Sequence, residues 1–502
     1  MNQDNGGIIG KINTPTTTVA SGIWSLDSQF DSQSSSIWPL AFPNTTIANS
    51  CRFDDGSSDY LTFTPSGNGN RKVFTISLWV KRGNLGIQTE MIGSSDSGFG
   101  NGLFLEFTSS DTLRFGFQDP NVFKITTRVF RDTLAWYHIC VAIDVTQSSN
   151  SDRVKIYING IQETSFSTDD TMANEDRDWN NTQAHSVGRS GAYNGLYFDG
   201  YLAEVVNVDG QQLLPTSFGA FNPATNIWEP VAYAGTYGTN GFRLDFADSS
   251  ALGNDVSGND NDFTVNNLTS IDQSSDTCSN NFASINSSYY AASSYTLTNG
   301  NLAVDGNASN AWRSLYGTFG LTSGKWYWEI KIDAINSGDA NNFAIGVVSS
   351  DQVDQSSSNG KFFGTAQGYA YHGKDGKKLN NDTVTANGAS YGDSFTTGDI
   401  VGVFLDLDNH KLYFSKNGTV QASGDPTSGS TGTNAAFSIT TGHTYFPAIA
   451  NYYSAEHYSF NYGSPPFTIS SGNADSNSYG NFEYPTQGYY TCNTKNLAEF
   501  GG

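Results

Sequence analysis

Apolar residues in this chain fall into short runs with a period of two, separated by polar turn residues. In the first half the runs cover 60–63, 74–80, 103–107, 113–117, 136–145, 154–158 and 202–208. Within 60–63, Tyr60 and Thr62 alternate with Leu61 and Phe63. Such alternation sends successive side chains to opposite faces, which marks a strand with one buried face. Ser-Gly-Asn-Gly at 66–69 and Asn159-Gly160 bound such runs. Asn-Gly predicts a tight hairpin, because both residues tolerate positive φ. The same grammar returns in the second half. Trp326, Trp328, Ile330 and Ile332 share one face, and further runs follow at 343–348, 399–407, 411–414 and 445–450. The pattern predicts an all-β chain built from antiparallel sandwiches.

Two stretches break this rhythm. After a small polar segment at 14–20, apolar anchors appear at Ile23, Trp24, Leu26, Phe30, Ile37, Trp38, Leu40 and Phe42. They keep neither period, and Pro39 and Pro43 interrupt any helix. So short a segment cannot bury two tryptophans alone. It reads as an extended N-terminal arm, 1–45, that either packs on the next domain or docks on another subunit through Ile23, Trp24, Leu26, Phe30 and Trp38. The second stretch, dense in Gly, Asn and Asp, is a connector at 229–290 with one edge strand to offer to either neighbour. The expected division is therefore arm 1–45, first sandwich 46–228, connector 229–290, second sandwich 291–470, and a tail 471–502 packing on the second sandwich.

Composition sharpens this picture. Hydrophobic residues are 37% and charged residues 15%, against about 45–50% and about 25% in ordinary globular chains. Aromatics reach 14%, so Tyr, Phe and Trp must supply the cores. Twenty-five basic and 48 acidic residues give a net charge of −23, which argues against nucleic acid or anionic lipid as a partner. No run approaches the ~18 apolar residues of a membrane span. The opening ten residues have neither a positive nor an apolar region, so no secretory signal is expected there. Cys51, Cys140, Cys278 and Cys492 form no Cys-x-x-Cys pair and read as isolated thiols.

Five motifs in order then carry a resemblance: Tyr60-Leu-Thr-Phe, Phe74-Thr-Ile-Ser-Leu-Trp-Val, Trp136-Tyr-His-Ile-Cys-Val, Val154-Lys-Ile-Tyr-Ile-Asn-Gly and Tyr197-Phe-Asp-Gly-Tyr-Leu-Ala-Glu-Val. Together they resemble the laminin-G-like, concanavalin-A-like jelly roll. With Leu214-Pro-Thr-Ser-Phe-Gly they are similar to a version common in tailed-phage structural proteins. Trp326-Tyr-Trp-Glu-Ile-Lys-Ile, Asp399-Ile-Val-Gly-Val-Phe-Leu-Asp and Leu412-Tyr-Phe-Ser-Lys-Asn-Gly resemble the SPRY domain. The resemblances imply two concanavalin-A-like jelly rolls in tandem.

Catalysis finds no support in the residues. A retaining glycosidase needs two carboxyls about 5–5.5 Å apart. The nearest string, Glu329-Ile-Lys-Ile-Asp333, has Lys331 between its acids and reads as a solvated sheet face. The six histidines form no His-x-x-x-His or Cys/His cluster, and His138 reads as a core or edge residue. In the connector, Asp255, Asp260 and Asp262 gather hard oxygen donors, which read first as ordinary turn chemistry, with a Ca²⁺ site as the alternative. The laminin-G-like counterpart has Gly where Asp260 stands. The resemblance to SPRY implies recognition through loops at one end, which places Tyr371, His372, Lys374, Asp375, Tyr452, Tyr453 and His457 as candidate binding residues.

These readings lead to the expectation of a non-enzymatic virion protein of a tailed phage, assembled in the host cytoplasm. It would be a homo-oligomeric tail fibre or appendage subunit, attached to other tail or capsid proteins and binding a host-surface glycan or protein. A capsid-decorating protein is the alternative, and a glycan depolymerase the less favoured one. No cofactor is expected, with Ca²⁺ as the one alternative.

Overall fold

The computed structural model describes residues 45–501, apart from 95–101, 119–120, 192–194, 224, 289–294, 307–310, 336–341, 354–359, 382–387 and 455. The arm anchors Ile23, Trp24, Leu26, Phe30 and Trp38 thus lie outside the described residues. Its regular secondary structure is almost entirely β-strand, nearly all antiparallel, in two tandem sandwiches, with short helices at Asn150–Arg153 and Thr494–Phe500.

In the first sandwich, one sheet runs Ile161–Gln162, Val154–Ile158, Trp136–Asp144, Val73–Arg82, Gly200–Asp209, Ser50–Phe53 and Gln273–Ser274, with Phe242–Leu244 also paired to Gly200–Asp209. The facing sheet runs Phe166–Asp169, Val122–Val129, Thr112–Phe117, Leu103–Phe107, Thr89–Ser94, His185–Val187, Tyr60–Phe63 and Thr264–Asn266. Alternate residues fill the space between them: Phe74, Ile76, Leu78 and Val80 from one sheet meet Leu103, Leu105 and Phe107 from the other. Asn159 and Gly160 adopt φ of 48° and 76° and close the expected hairpin. Within the connector, Phe242–Leu244, Thr264–Asn266 and Gln273–Ser274 all join this sandwich. Glu204, at φ 48°, marks a bulge where the pairing of Gly200–Asp209 shifts, and its carboxylate takes both arms of Arg243 at 2.8 Å.

The second sandwich pairs a sheet of Tyr295–Thr298, Ala303–Gly306, His457–Asn461, Lys325–Ala334, Ile400–Asp406, Lys411–Lys416 and Thr419–Val420 with one of Arg313–Tyr316, Tyr445–Asn451, Phe343–Ser349, Gly368–His372, Lys377–Asn380 and Ala389–Ser390. Trp326, Trp328, Ile330 and Ile332 point into its core, as their alternation requires. At Tyr327 and Glu329 the opposite face of that strand is covered, which corrects the expectation for Glu329, while Lys331 and Asp333 stay partly exposed. The tail lies over the covered part, so Tyr327, Phe404 and Tyr413 pack with Phe482 and Tyr489 in a second apolar layer. Glu329 is fully buried there, accepting from the Glu483 and Tyr484 amides (3.0 and 2.8 Å), the Tyr327 hydroxyl and Asn461. Lys331 pairs with Asp333 at 2.7 Å instead.

The two sandwiches meet through buried polar contacts. Lys81 Nζ, 1% exposed, donates to Asp276 (2.7 Å), Asn281 (2.8 Å) and the Phe282 carbonyl (3.1 Å). Asp276 also accepts from Trp136 Nε1 at 3.0 Å. Arg52 reaches the Pro465 and Ile271 carbonyls, and Tyr201 donates to the carbonyl of Gly300. A buried charge is tolerated only when its partners are in place, and here three acceptors surround the ammonium. Residues Pro215–Ala234 belong to a separate compact unit. There Gly219–Phe221 pairs with Trp228–Pro230, and Thr45 extends the hairpin by donating its amide to the Pro230 carbonyl. All four cysteines are free. Among the described residues no helix is long and apolar enough to cross a membrane.

Candidate functional site

The strand Tyr445–Asn451 pairs with both Arg313–Tyr316 and Phe343–Ser349, so Asn451 stands opposite Arg313 on one side and Phe343 on the other. The chain then re-enters the other sheet as His457–Asn461. So abrupt a crossing leaves backbone amides unpaired, and Glu456 resolves this. Its Oε2 accepts the amides of Tyr452 and Tyr453, both at 3.3 Å. Asn451 Nδ2 holds the Tyr453 carbonyl at 3.1 Å, and the Ala311 amide holds that of Tyr452 at 3.2 Å. Glu456 is fully buried, and that burial pushes its carboxyl up to about 7 against the pull of the two amides.

Trp312 is the centre of this end. Its indole, 6% exposed, meets Phe363 edge-on at 5.0 Å, Tyr452 at 5.7 Å and His372 at 6.4 Å. Tyr452 in turn meets Tyr453 in a T-shaped contact at 4.8 Å, and both tyrosines stay half-buried. Across Trp312 lies the turn after Gly368–His372. His372 Nδ1 contacts Asp375 Oδ1 at 2.7 Å, while Lys377 binds the other oxygen at 3.1 Å. His372 is itself buried, and burial lowers its pKa despite Asp375. Lys374 and Asp375 are exposed on the turn.

The structure therefore brings His372, Lys374, Asp375, Tyr452 and Tyr453 to one end and leaves two candidates aside. Tyr371 is a core residue, which corrects its assignment to a loop. It is fully buried against Phe395 at 4.8 Å and Phe414 at 5.3 Å, and its hydroxyl donates to the Asp393 carbonyl. The reason is alternation: Tyr369 and Tyr371 share the inward face of Gly368–His372. His457 begins its strand opposite Asp305 and pairs with that carboxylate. Trp312, absent from the expected set, is the residue that joins the two loops. It stands alone in a polar stretch of sequence, with no period to mark it.

The connector carboxylates do not converge. Asp255 Oδ1 accepts the Arg243 and Ser257 amides, and Oδ2 accepts the Asn261 amide and the Ser257 hydroxyl, at 2.8–3.0 Å. Asp262 accepts the Asp255 amide at 2.8 Å, and Asp260 sits at φ 57°. That left-handed conformation explains why glycine suits this position. Asp255, Asp260 and Asp262 thus organise a turn, which corrects the Ca²⁺ reading of this loop. A second acidic pair escaped the sequence search. Glu90 and Glu106 stand opposite each other on adjacent strands, fully buried. Arg114 pairs with Glu106, and Gln88 donates to both its oxygens. Burial, then the neighbouring Glu106, raises the Glu90 pKa well above the usual range.

Two domains are recognisable by family. Residues 55–210 match the Concanavalin A-like lectin/glucanases superfamily, and residues 325–465 match the SPRY domain. Among curated proteins, the chain is similar to a Ran-binding proteins 9/10 homolog of Drosophila melanogaster, 42% identical over 52 residues. That match covers 10% of this chain and 5% of the relative's length. Among solved structures, it is similar to the SPRY domain of human HERC1 (22% identity, 33% of this chain and 91% of that one, TM-score 0.25). It is also similar to a putative carbohydrate binding protein from Bacteroides ovatus ATCC 8483 (17% identity, 44% and 59%, TM-score 0.31).

Proposed function

We propose that this chain is a non-catalytic recognition protein, and that the Trp312–Tyr452–Tyr453 end of its second sandwich is the binding surface. One observation carries the reading: two tyrosines are kept half-exposed by a fully buried carboxylate and a buried indole. Tyrosine offers an apolar face and a polar tip at small entropic cost, so a pre-set pair suits a sugar ring or a peptide edge. The family matches of both sandwiches support a binding role.

The finer reading is a tailed-phage fibre or appendage subunit whose arm attaches it to the particle and whose sandwiches face the host. It rests on the aromatic anchors of the arm and on the phage-like motifs of the first sandwich. Repeated copies would raise a weak single-site affinity by a factor on the order of 10²–10⁴. Fab fragments raised against the folded chain, viewed on intact particles by electron microscopy, test it. Label at the tail is expected. Label spread over the head would make the chain a decoration protein, and unlabelled particles would end the virion reading.

A further inference from the structure

The hairpin of Gly219–Phe221 and Trp228–Pro230 has one apolar face. Phe221 stands opposite Trp228 and Gly219 opposite Pro230, so these four residues share a side of the ribbon. The Phe221 and Trp228 rings meet edge-on at 5.0 Å, and the indole lies against Gly219, where a Cβ would come within 2.5 Å of it. The other side is polar, with Asn222 Nδ2 donating to Glu229 Oε1 at 2.8 Å. Trp228 is buried, whereas Phe221 stays 40% exposed. A two-stranded ribbon is marginal in water until a further strand or an apolar cover reaches it.

The arm arrives at this hairpin. Val231 donates its amide to the Phe218 carbonyl at 2.9 Å, which turns the neighbouring Pro230 carbonyl to the outer edge. Thr45 meets it there: its amide donates to that carbonyl at 2.8 Å, and its hydroxyl oxygen accepts the Ala232 amide at 2.8 Å. Trp228–Pro230 thus has Gly219–Phe221 on one side and the last residue of the arm on the other. Immediately upstream the sequence reads Ile37-Trp-Pro-Leu-Ala-Phe-Pro43. Trp38 and Phe42 each precede a proline, which biases both toward extended backbone. Every second side chain of an extended segment shares a side, so over these few positions Trp38, Leu40 and Phe42 make an apolar row. At about 3.3–3.6 Å per residue, Phe42 lies within about 11 Å of Thr45 and Trp38 within about 25 Å, so the row can span a three-residue strand.

We propose that residues 37–43 dock back on this hairpin and lay Trp38, Leu40 and Phe42 on the face of Phe221 and Trp228. The occupant is the chain's own arm rather than that of a second copy. A tether of a few residues ending at Thr45 gives the segment an effective concentration on the order of millimolar, which a neighbour's arm must outcompete. Ile23, Trp24, Leu26 and Phe30 lie upstream of the docked stretch and are left for a partner. The hairpin is then the root from which the outer arm projects, whether or not that partner belongs to a virus particle.

Hydrogen exchange and disulfide trapping in the full-length chain test this. Trp38→Ser/Leu40→Ser/Phe42→Ser should speed amide exchange across 218–231 at least ~10-fold, because it strips the cover from a marginal ribbon. Ile23→Ser/Trp24→Ser/Leu26→Ser should leave those amides as they are. Trp38→Cys, Leu40→Cys and Phe42→Cys, each combined with Phe221→Cys, should yield in at least one case a disulfide within a single chain. Peptide mapping distinguishes it from bonds to the four free native cysteines. The same three combined with Glu229→Cys, on the polar face, should yield none. Hairpin exchange that is untouched by the first triple variant, or accelerated equally by the second, would overturn the proposal. So would the absence of every Phe221→Cys cross-link, or cross-links that join two chains, which would give the face to a second copy's arm.

Discussion

Glu456 shows how a single buried acid can govern a loop. Its pKa is about 7 in the folded chain against 4.5 for an ordinary glutamate. Between those values the folded state holds a proton that the unfolded state has released. The stability this contributes is full below about pH 4.5 and lost as pH rises through about 7. Glu456→Gln keeps an acceptor for the Tyr452 and Tyr453 amides without the charge. Relative to the parent, it should gain about 3 kcal/mol between pH 4 and pH 8, read from urea midpoints. Parallel pH profiles would show that Glu456 is not the buried acid described. Tyr452→Ala and Tyr453→Ala remove half-exposed rings and should cost stability by no more than about 1 kcal/mol.

At the scale of elements, the alternation at 326–332 told which side of its strand meets the core, because that information is local. The other side could not be read. Tyr327 and Glu329 are covered by residues 482–489, some 150 positions later, and a polar residue beneath a distant tail looks like surface. The aromatic end was legible only in part for the same reason. Tyr452 and Tyr453 lie in a short turn that composition marks, whereas Tyr371 occupies a strand whose inward face the sequence already implied through Tyr369. The tail layer has its own test. Phe482 is fully buried between Tyr327 and its neighbours, so Phe482→Ala should cost about 3–5 kcal/mol. A loss below about 1 kcal/mol would mean that the tail is not bound as described.

For the two sandwiches together, the ammonium of Lys81 is the most informative probe. Its partners Asp276, Asn281 and Phe282 lie at the end of the connector, and the Asn281 amide donates in turn to the Thr494 hydroxyl of the tail, so one buried polar network ties the two domains. Calorimetry of the intact chain should show the sandwiches unfolding in one transition. Lys81→Met leaves Asp276 buried without its cation, should cost about 3–5 kcal/mol, and should separate the transition in two. Two independent transitions in the unmutated chain would contradict this coupling. The central claim, recognition through the aromatic end, is tested most directly by arrays of surface glycans and peptides probed with the full chain and with Tyr452→Ala/Tyr453→Ala. The account predicts a ligand whose binding falls at least ~10-fold in the double variant, as expected when aromatic anchors are lost. A ligand bound equally well by both proteins would place recognition elsewhere.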